Sequence, residues 1–218
     1  MQTTWLVNKP DNTKLLIIAL GWGASPEVLG NQIMPENYDI ITIYDYKKLN
    51  YDALWTKKYQ TVSLIAWSFG VWASEQLFPN MKFTEAVAIT GTPHPIDRNF
   101  GIDPRVFNLT VQSIQSNAIV EFVVRMCGRQ LRTYNQHHSK RTTTDIQEEI
   151  QILNIEGQKP YAPKIRWTEF IAAGKDKIFP AKSVESYAKQ NGVNCRVIED
   201  APHYVFYDEN LIKCTIKA

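Results

Sequence analysis

The chain has 218 residues, of which 44% are hydrophobic and 21% are charged. This length fits one domain of ordinary size, and the composition excludes a disordered or fibrous protein because enough apolar side chains are present to form a core. The net charge is only +2, from 24 Lys and Arg against 22 Asp and Glu. Such a balance argues against a dedicated nucleic-acid-binding protein.

Cysteine usage and apolar runs bear on the cellular compartment. The three cysteines, Cys127, Cys195 and Cys214, are too few and too widely spaced for a disulfide framework or a zinc motif. The run Leu15–Leu20 follows a polar turn rather than a basic segment, which favours a buried strand over a signal peptide. No run approaches the roughly 18 apolar residues of a membrane span. We expect a soluble, cytoplasmic protein with reduced thiols.

Predicted strands and helices alternate through the first part of the chain. Thr3–Val7 and Lys14–Leu20 are β-type runs joined by a Pro-Asp-Asn turn, which predicts a β-hairpin. Asp39–Tyr44 and Thr61–Trp67 are short, β-branched and apolar, as expected of parallel strands that are buried on both faces. Tyr51–Lys58, between them, predicts a short crossover helix.

The alternation continues to the end of the chain, with one interruption. The further predicted elements are a helix at Phe69–Phe78, a strand at Phe83–Thr90, a strand at Ile165–Ala173, a helix at Ala181–Gln190 and a strand at Asn194–Ile198. This order predicts an α/β fold with a mostly parallel sheet flanked by helices, in which functional sites lie at the carboxyl ends of the strands.

The interruption runs from Gly91 to Pro163. This stretch is more polar than its surroundings, contains helical patches at Ile119–Leu131 and Thr144–Ile155, and ends in a proline-rich segment. We interpret residues 91–163 as a helical cap inserted into a single domain whose core comprises residues 1–90 and 164–218.

Ser68 follows a buried strand and opens a helix. A serine on such a sharp turn presents its hydroxyl above the sheet, and small residues two positions away relieve crowding. Gly70 is one of these small residues, whereas Ala66 replaces the glycine that is usual at the other position. The alternative is that Ser68 only caps the helix, since serine is a favoured N-cap.

Two more polar residues follow predicted strands. Asp176 lies in a glycine-containing loop after Ile165–Ala173, and His203 follows the last strand. Taken singly, they could be a turn aspartate and a surface histidine. Together with Ser68 they have the chain order Ser, Asp, His of an α/β-hydrolase triad, in which His203 takes the serine proton and Asp176 holds the imidazole.

A glycine-rich turn, Gly21-Trp22-Gly23, follows the strand Lys14–Leu20. We expect the backbone N–H of Trp22 to form an oxyanion hole with the N–H of Phe69, the residue after the serine. The alternative is an ordinary turn that needs glycine for its dihedral angles.

Five segments distributed over nearly the whole chain carry a family resemblance. They are Leu20-Gly21-Trp22-Gly23, Trp67-Ser68-Phe69-Gly70, Gly91-Thr92-Pro93-His94-Pro95-Ile96-Asp97, Gly174-Lys175-Asp176-Lys177-Ile178-Phe179-Pro180 and Ala201-Pro202-His203. Together they resemble the BioG-type pimeloyl-acyl-carrier-protein methyl ester esterases of biotin synthesis, a branch of the α/β-hydrolases. The chain departs from the wider superfamily at Ala66, and at Leu20, where many related esterases have histidine.

The resemblance implies a substrate and a partner. It implies hydrolysis of the methyl ester of a pimeloyl chain carried on acyl carrier protein, with release of methanol and without a cofactor. The alternatives are a broader carboxylesterase or acyl thioesterase with the same triad, and a non-catalytic hydrolase-like module that binds an acidic partner. The oligomeric state does not follow from the sequence.

A basic stretch fits an acidic carrier. Residues 121–141 contain one acidic residue, Glu121, and five basic ones: Arg125, Arg129, Arg132, Lys140 and Arg141. On a continuous helix Arg125, Arg129 and Arg132 would share one face, and their guanidinium groups suit carboxylates and phosphates. The alternative is an ordinary solvated face.

Other candidate residues have weaker signals. Phe179 beside the predicted aspartate could line an acyl channel, although an aromatic residue near buried strands is more often part of the core. The adjacent His137 and His138 have no accompanying carboxylate cluster, so we predict no metal site. No stacking platform or motif accompanies the arginines, and we expect no nucleic-acid partner and no membrane partner.

Overall fold

In a computed structural model that describes residues 1–49, 56–116 and 118–216, the chain folds around a seven-stranded sheet. The strands are β1 (Gln2–Val7), β2 (Lys14–Ala19), β3 (Tyr38–Tyr44), β4 (Thr61–Trp67), β5 (Ala86–Ile89), β6 (Glu169–Ala173) and β7 (Asn194–Ile198). Their order across the sheet is β1-β3-β2-β4-β5-β6-β7. Among the six strand pairs in the described residues, only the β1–β3 pair is antiparallel, so the mostly parallel sheet is confirmed.

The β-hairpin expected between the first two strands is wrong. β1 pairs with β3, with Gln2 opposite Tyr44, and β3 separates it from β2. The burial of the strands explains this arrangement. Leu15–Ala19 of β2 is fully buried and pairs on both sides with parallel strands, whereas β1 is largely exposed and occupies the sheet edge.

Seven α-helices lie within the described residues. They are α1 (Phe69–Leu77), α2 (Pro104–Gln115), α3 (Ile119–Cys127), α4 (Leu131–Gln136), α5 (Thr143–Glu156), α6 (Ala181–Gln190) and α7 (Leu211–Thr215). α1 packs on β2 and β4, and α6 packs on β6 and β7. The crossover helix expected over Tyr51–Lys58 lies mostly outside the described residues. No helix in the described part of the chain is long and apolar enough to cross a membrane.

Helices α2 to α5 all lie between β5 and β6, within residues 91–163. α2 is absent from our sequence prediction, although Asp103 accepts a capping hydrogen bond from the Arg105 N–H and Pro104 occupies the first turn. The helix expected over Ile119–Leu131 is interrupted. It ends at Cys127 because Gly128 adopts φ +50°, and a 3₁₀ turn then leads into α4.

A buried carboxylate determines where the chain re-enters the sheet. Glu75 of α1 is 3% exposed and accepts hydrogen bonds from the backbone N–H groups of Lys164 and Ile165 and from the Trp167 indole. The two backbone N–H groups are therefore unavailable to a strand ladder. This explains why β6 begins at Glu169 rather than at Ile165 as expected.

Candidate active site

Ser68 lies on a tight turn between β4 and α1. Its backbone has φ +57° and ψ −126°, a conformation that L-residues rarely adopt. The Ser68 N–H donates to the Ile89 carbonyl of β5 at 2.9 Å, which fixes the turn at the carboxyl edge of the sheet. Backbone strain of this kind costs about 1–3 kcal/mol and is concentrated at functional sites, where surrounding packing maintains it.

Glycines surround this turn because the backbone passes very close to its neighbours. A Cβ atom on Gly70 would lie 2.3 Å from the Ala19 carbonyl oxygen, and one on Gly91 would lie 2.4 Å from the Ser68 carbonyl oxygen. Neither position can accept a side chain without a backbone shift. Ala66, in contrast, fits at the other motif position, fully buried and directly opposite Ala19 in the neighbouring strand.

The three predicted triad residues are adjacent in space. His203 Nε2 lies 3.0 Å from Ser68 Oγ, and His203 Nδ1 lies 2.6 Å from Asp176 Oδ2. The other carboxylate oxygen of Asp176 accepts from the backbone N–H groups of Ile178 and Phe179, at 2.7 and 2.8 Å. The side chains of Asp176 and His203 are almost completely buried. A serine, an imidazole and an oriented carboxylate in this sequence of contacts can carry out nucleophilic catalysis.

The predicted oxyanion donors are close to the serine. Phe69 is the first residue of α1, so its backbone N–H has no acceptor within the helix. The turn that contains Trp22 passes beside the nucleophile, since a Cβ atom on Gly21 would lie 3.1 Å from Ser68 Cβ. Among the described residues, no protein acceptor takes the N–H of either Trp22 or Phe69. Both N–H groups are thus available to a ligand, and their catalytic role stays a prediction.

Two cavities meet near Ser68. The Ser68 chamber has a volume of about 40 Å³, and the second chamber has about 340 Å³. The Ser68 chamber is lined by Ser68, His203, Phe69, Ile102, Val106, Phe107, Arg125, Lys177 and Ile178, among others. Four residues line both chambers: Trp22, Trp67, Phe122 and Met126. The Trp22 and Phe122 rings make an edge-on contact with centroids 4.8 Å apart. Most of the residues that line the second chamber are apolar, and six of them belong to α3: Ile119, Val120, Phe122, Val123, Val124 and Met126.

The channel role considered for Phe179 does not match its position. Its side chain is fully buried in the core and is not part of the lining of either chamber. The residue contributes its backbone N–H to Asp176 instead. The neighbouring Lys177 and Ile178 line the Ser68 chamber.

The basic stretch is divided by the break after α3. Arg125 belongs to α3, Arg129 to the 3₁₀ turn and Arg132 to α4, so the expectation of one continuous helix face is wrong. All three residues are exposed, and Arg125 lines the Ser68 chamber. Arg129 lies 3.5 Å from exposed Asp200. Arg141 is different, because its side chain is 5% exposed and its charge is paired internally with Glu149.

Two further titratable side chains, His94 and Cys127, are shielded from solvent. His94 is partly buried against Phe100, Tyr161 and Tyr187, and burial lowers the pKa of its imidazole. Burial raises the pKa of the Cys127 thiol to about 12. Among the described residues, no cluster of three or more histidine, cysteine or acidic side chains could hold a metal ion.

Comparison with known proteins gives a consistent family. A family model described as "Pimeloyl-ACP methyl esterase BioG" matches residues 1–211. An uncharacterized Haemophilus influenzae protein is 32% identical and is matched over 88% of this chain and 89% of its own. A Bacteroides fragilis malonyl-acyl-carrier-protein O-methyltransferase is 30% identical over 94% of this chain, which spans 41% of that protein.

Solved structures confirm the fold. The crystal structure of selenomethionine BioG from Haemophilus influenzae matches with a TM-score of 0.85 and 30% identity, over 95% of both chains. Hydrolases and esterases with 12–13% identity and TM-scores of 0.64–0.69 share the α/β-hydrolase fold alone. The α/β-hydrolase fold predicted from the sequence is therefore confirmed. The chain belongs to the BioG family of pimeloyl-acyl-carrier-protein methyl esterases.

Proposed function

We propose that this chain is a serine esterase that hydrolyses the methyl ester of pimeloyl-acyl-carrier protein and releases methanol. The observation that carries the proposal is the unbroken set of contacts from Ser68 Oγ through His203 to Asp176, at 3.0 and 2.6 Å. The family model supports the substrate. No metal or cofactor is needed for this reaction, because a neutral imidazole can accept the serine proton as the serine oxygen attacks.

The first half of the reaction forms an acyl-enzyme. His203 Nε2 takes the proton of Ser68 as Oγ attacks the ester carbonyl carbon, which produces a tetrahedral oxyanion. The backbone N–H groups of Trp22 and Phe69 stabilise this oxyanion, and one such donor typically contributes about 10²–10³ in turnover. Collapse breaks the bond to the methoxy group, which receives the proton from His203 and leaves as methanol.

The second half of the reaction restores the serine. His203 deprotonates a water molecule that attacks the acyl carbonyl, and Ser68 Oγ leaves with the proton held by the imidazole. Asp176 holds the ring orientation and stabilises the imidazolium in both halves. The products are a free carboxylic acid at the end of the acyl chain and regenerated enzyme.

The chambers and the charge around them suit a carrier-bound ester. An apolar lining fits the methylene groups of an acyl chain, and we assign the second chamber or its junction with the Ser68 chamber to that chain. Arg125 and Lys177 line the Ser68 chamber and offer cationic partners to the phosphate of a carrier arm. We propose that residues 91–163 act as the cap that forms this entrance and that exposed Arg129 and Arg132 face the acidic carrier protein.

One relative and the cysteines also fit an enzyme that acts on a carrier-bound methyl ester. One is named as an O-methyltransferase that acts on malonyl-acyl-carrier protein, and a methyl ester on a carrier-bound acyl group is the bond that an esterase of this kind would remove. The three cysteines are free. Together with a carrier-protein substrate, these thiols support a cytoplasmic location.

The direct test uses purified protein and acyl carrier protein loaded with methyl pimelate. Mass spectrometry should show conversion of the ester to the acid with wild-type protein and none with Ser68→Ala. Labelling with a fluorophosphonate separates the alternatives. An unchanged carrier ester together with labelled Ser68 would contradict the substrate, and equal rates on free esters or thioesters would favour a broader esterase or thioesterase. Absence of labelling would favour a binding module.

A further inference from the structure

The turn that contains Trp22 is held from outside the sheet, by helix α5. The Trp22 indole N–H donates to the Ile146 carbonyl at 2.9 Å, and the Gly23 backbone N–H donates to Glu149 Oε2 at 3.0 Å. Ile146 and Glu149 are three residues apart and therefore lie on one face of α5. Two successive residues of the turn, Trp22 and Gly23, are thus fixed by one helix of residues 91–163.

The carboxylate of Glu149 also binds the backbone just after the end of β3. Its side chain is fully buried, and Oε1 accepts from the Tyr46 backbone N–H at 2.7 Å. The Tyr46 hydroxyl in turn donates to the Leu20 carbonyl at 2.7 Å, immediately before the turn. Glu149 therefore contacts the turn directly through Gly23 and indirectly through Tyr46.

Arg141 supplies the charge that this buried carboxylate needs. Its Nη1 lies 2.5 Å from Glu149 Oε2, and its Nη2 lies 3.1 Å from Asp45 Oδ1. Burial raises the pKa of Glu149, and the guanidinium and the backbone donors oppose that effect. Three donors occupy the two oxygens of Glu149, an arrangement that suits the ionised carboxylate, which only accepts hydrogen bonds. The positive charge of Arg141 also offsets a negative group close to the turn where an oxyanion would form.

We propose that Glu149, paired with Arg141, is a positioning residue that fixes the Trp22 backbone N–H toward Ser68, so that the 91–163 segment supports the oxyanion hole. The inference rests on the proposed serine-esterase mechanism. It assigns a function to a buried ion pair that the triad does not use. The competing explanation is that the pair only attaches α5 to the sheet.

The test compares Glu149→Gln with Glu148→Gln on a small soluble ester. Both changes remove one carboxylate from α5, but Glu148 is exposed and contacts Lys47, which keeps its partner Asp145. Active sites are counted by fluorophosphonate titration, so that only folded, reactive enzyme enters kcat. We expect Glu149→Gln to lower kcat about 10- to 100-fold with a KM change of less than about threefold. Removal of one oxyanion-hole donor typically lowers kcat by about 10²–10³, and a misaligned donor should lose part of that factor.

A transition-state analogue provides the second measurement. A trifluoromethyl ketone forms a tetrahedral adduct with the serine, so its Ki should rise by the factor by which kcat/KM falls. If Glu149→Gln does not fold, Arg141→Lys takes its place, because it keeps the charge and loses the planar fork. On an ester whose acyl chain is too short to enter the second chamber, which Arg141 also lines, we then expect kcat to fall about tenfold at nearly constant KM.

The outcomes separate this inference from the proposed function. Equal kcat per titrated site and equal Ki in wild type and Glu149→Gln would overturn the positioning role and leave an attachment of α5. In the Arg141→Lys arm, an unchanged kcat and Ki would do the same. Failure of wild-type protein to hydrolyse the carrier ester, with the soluble ester still cleaved, would contradict the proposed substrate and leave the positioning role intact. Loss of Ser68 titration in wild type would overturn both.

Discussion

Asp176 Oδ2 lies 2.6 Å from His203 Nδ1, while its other oxygen accepts two backbone N–H groups. This arrangement determines which imidazole nitrogen carries the proton. An ionised carboxylate can only accept a hydrogen bond, so Nδ1 has to be the donor. The proton is then on Nδ1, and Nε2 is free to accept from Ser68 at 3.0 Å.

Asp176→Asn should therefore abolish most activity without unfolding the protein. The amide oxygen can still accept from the Ile178 and Phe179 backbone, so the loop keeps its shape, but the amide nitrogen would face Nδ1 and favour the wrong tautomer. We expect kcat to fall by about 10⁴, the effect of this change in serine proteases. Steady-state kinetics and thermal unfolding measure it, with the exposed Asp200→Asn as the matched control. Activity within tenfold of wild type would contradict the triad.

Gly70→Ala should disrupt the serine turn, because the added Cβ would lie 2.3 Å from the Ala19 carbonyl oxygen. Relief requires movement of α1 or β2, and we expect a loss of about 1–3 kcal/mol or more in the free energy of unfolding. Phosphonate labelling of Ser68 should be lost or greatly slowed. Ala66→Gly, in the same motif, is the control and should cost only about 0.5–1 kcal/mol. Equal effects of the two changes would contradict the steric argument.

The triad could be predicted because each member lies within five residues of the end of a strand. Ser68, Asp176 and His203 follow β4, β6 and β7, and parallel strands bring their carboxyl ends to one edge. Local sequence thus contained most of the information about which side chains converge.

Long-range packing explains what the sequence did not reveal. Arg141 carries a charge that suggests exposure, yet its side chain is buried, where it pairs with Glu149 of α5 and with Asp45 from a distant part of the chain. Phe179 is close to Asp176 in sequence, but its side chain is directed into the core. β1 pairs with β3 because β2 already has a parallel strand on each side, and the turn residues between β1 and β2 contain no information about that. The helix break at Gly128 could have been predicted from the glycine itself.

The stability of the sheet edge should depend on pH through Asp39. Burial alone would raise the pKa of this carboxyl group, but hydrogen bonds from Tyr59, the Lys9 backbone, Asn12 and Lys58 lower it from 3.8 to about 2. A lowered folded-state pKa stabilises the protein above the unfolded value, and this contribution is lost as the pH falls from about 4 toward 2.

Asp39→Asn should reveal that contribution. We expect it to destabilise the protein by about 1–3 kcal/mol between pH 5 and 8, and the difference from wild type should narrow below pH 4. Denaturant unfolding at several pH values measures this difference. Exposed Asp11→Asn serves as the control. A difference that stays constant down to pH 2 would contradict the assignment.

Exposed arginines of the proposed cap should affect the carrier-bound substrate selectively. We expect the triple change of Arg125, Arg129 and Arg132 to Ala to raise KM for the carrier ester roughly tenfold, and less at high salt, because surface charge attraction is screened. A small soluble ester should be hydrolysed at nearly the wild-type rate. The control changes three exposed lysines to Ala, Lys9, Lys82 and Lys189, and removes the same charge elsewhere. An equal effect of both triples would indicate a general charge effect rather than a docking surface.

Trp22 and Phe122 are in contact and line both the Ser68 chamber and the larger second chamber, so we expect this contact to control which acyl chains the site accepts. Phe122 is 8% exposed, and truncation to Ala would widen the junction between the two chambers. We expect Phe122→Ala to raise the ratio of kcat/KM for long-chain esters to kcat/KM for short-chain esters by about tenfold. Contacts with a few methylene groups provide discrimination of this size. A chain-length series of soluble methyl esters measures this shift. Val120→Ala is the control, because Val120 lines only the second chamber and is 70% exposed. An unchanged chain-length profile in Phe122→Ala would place the acyl chain elsewhere.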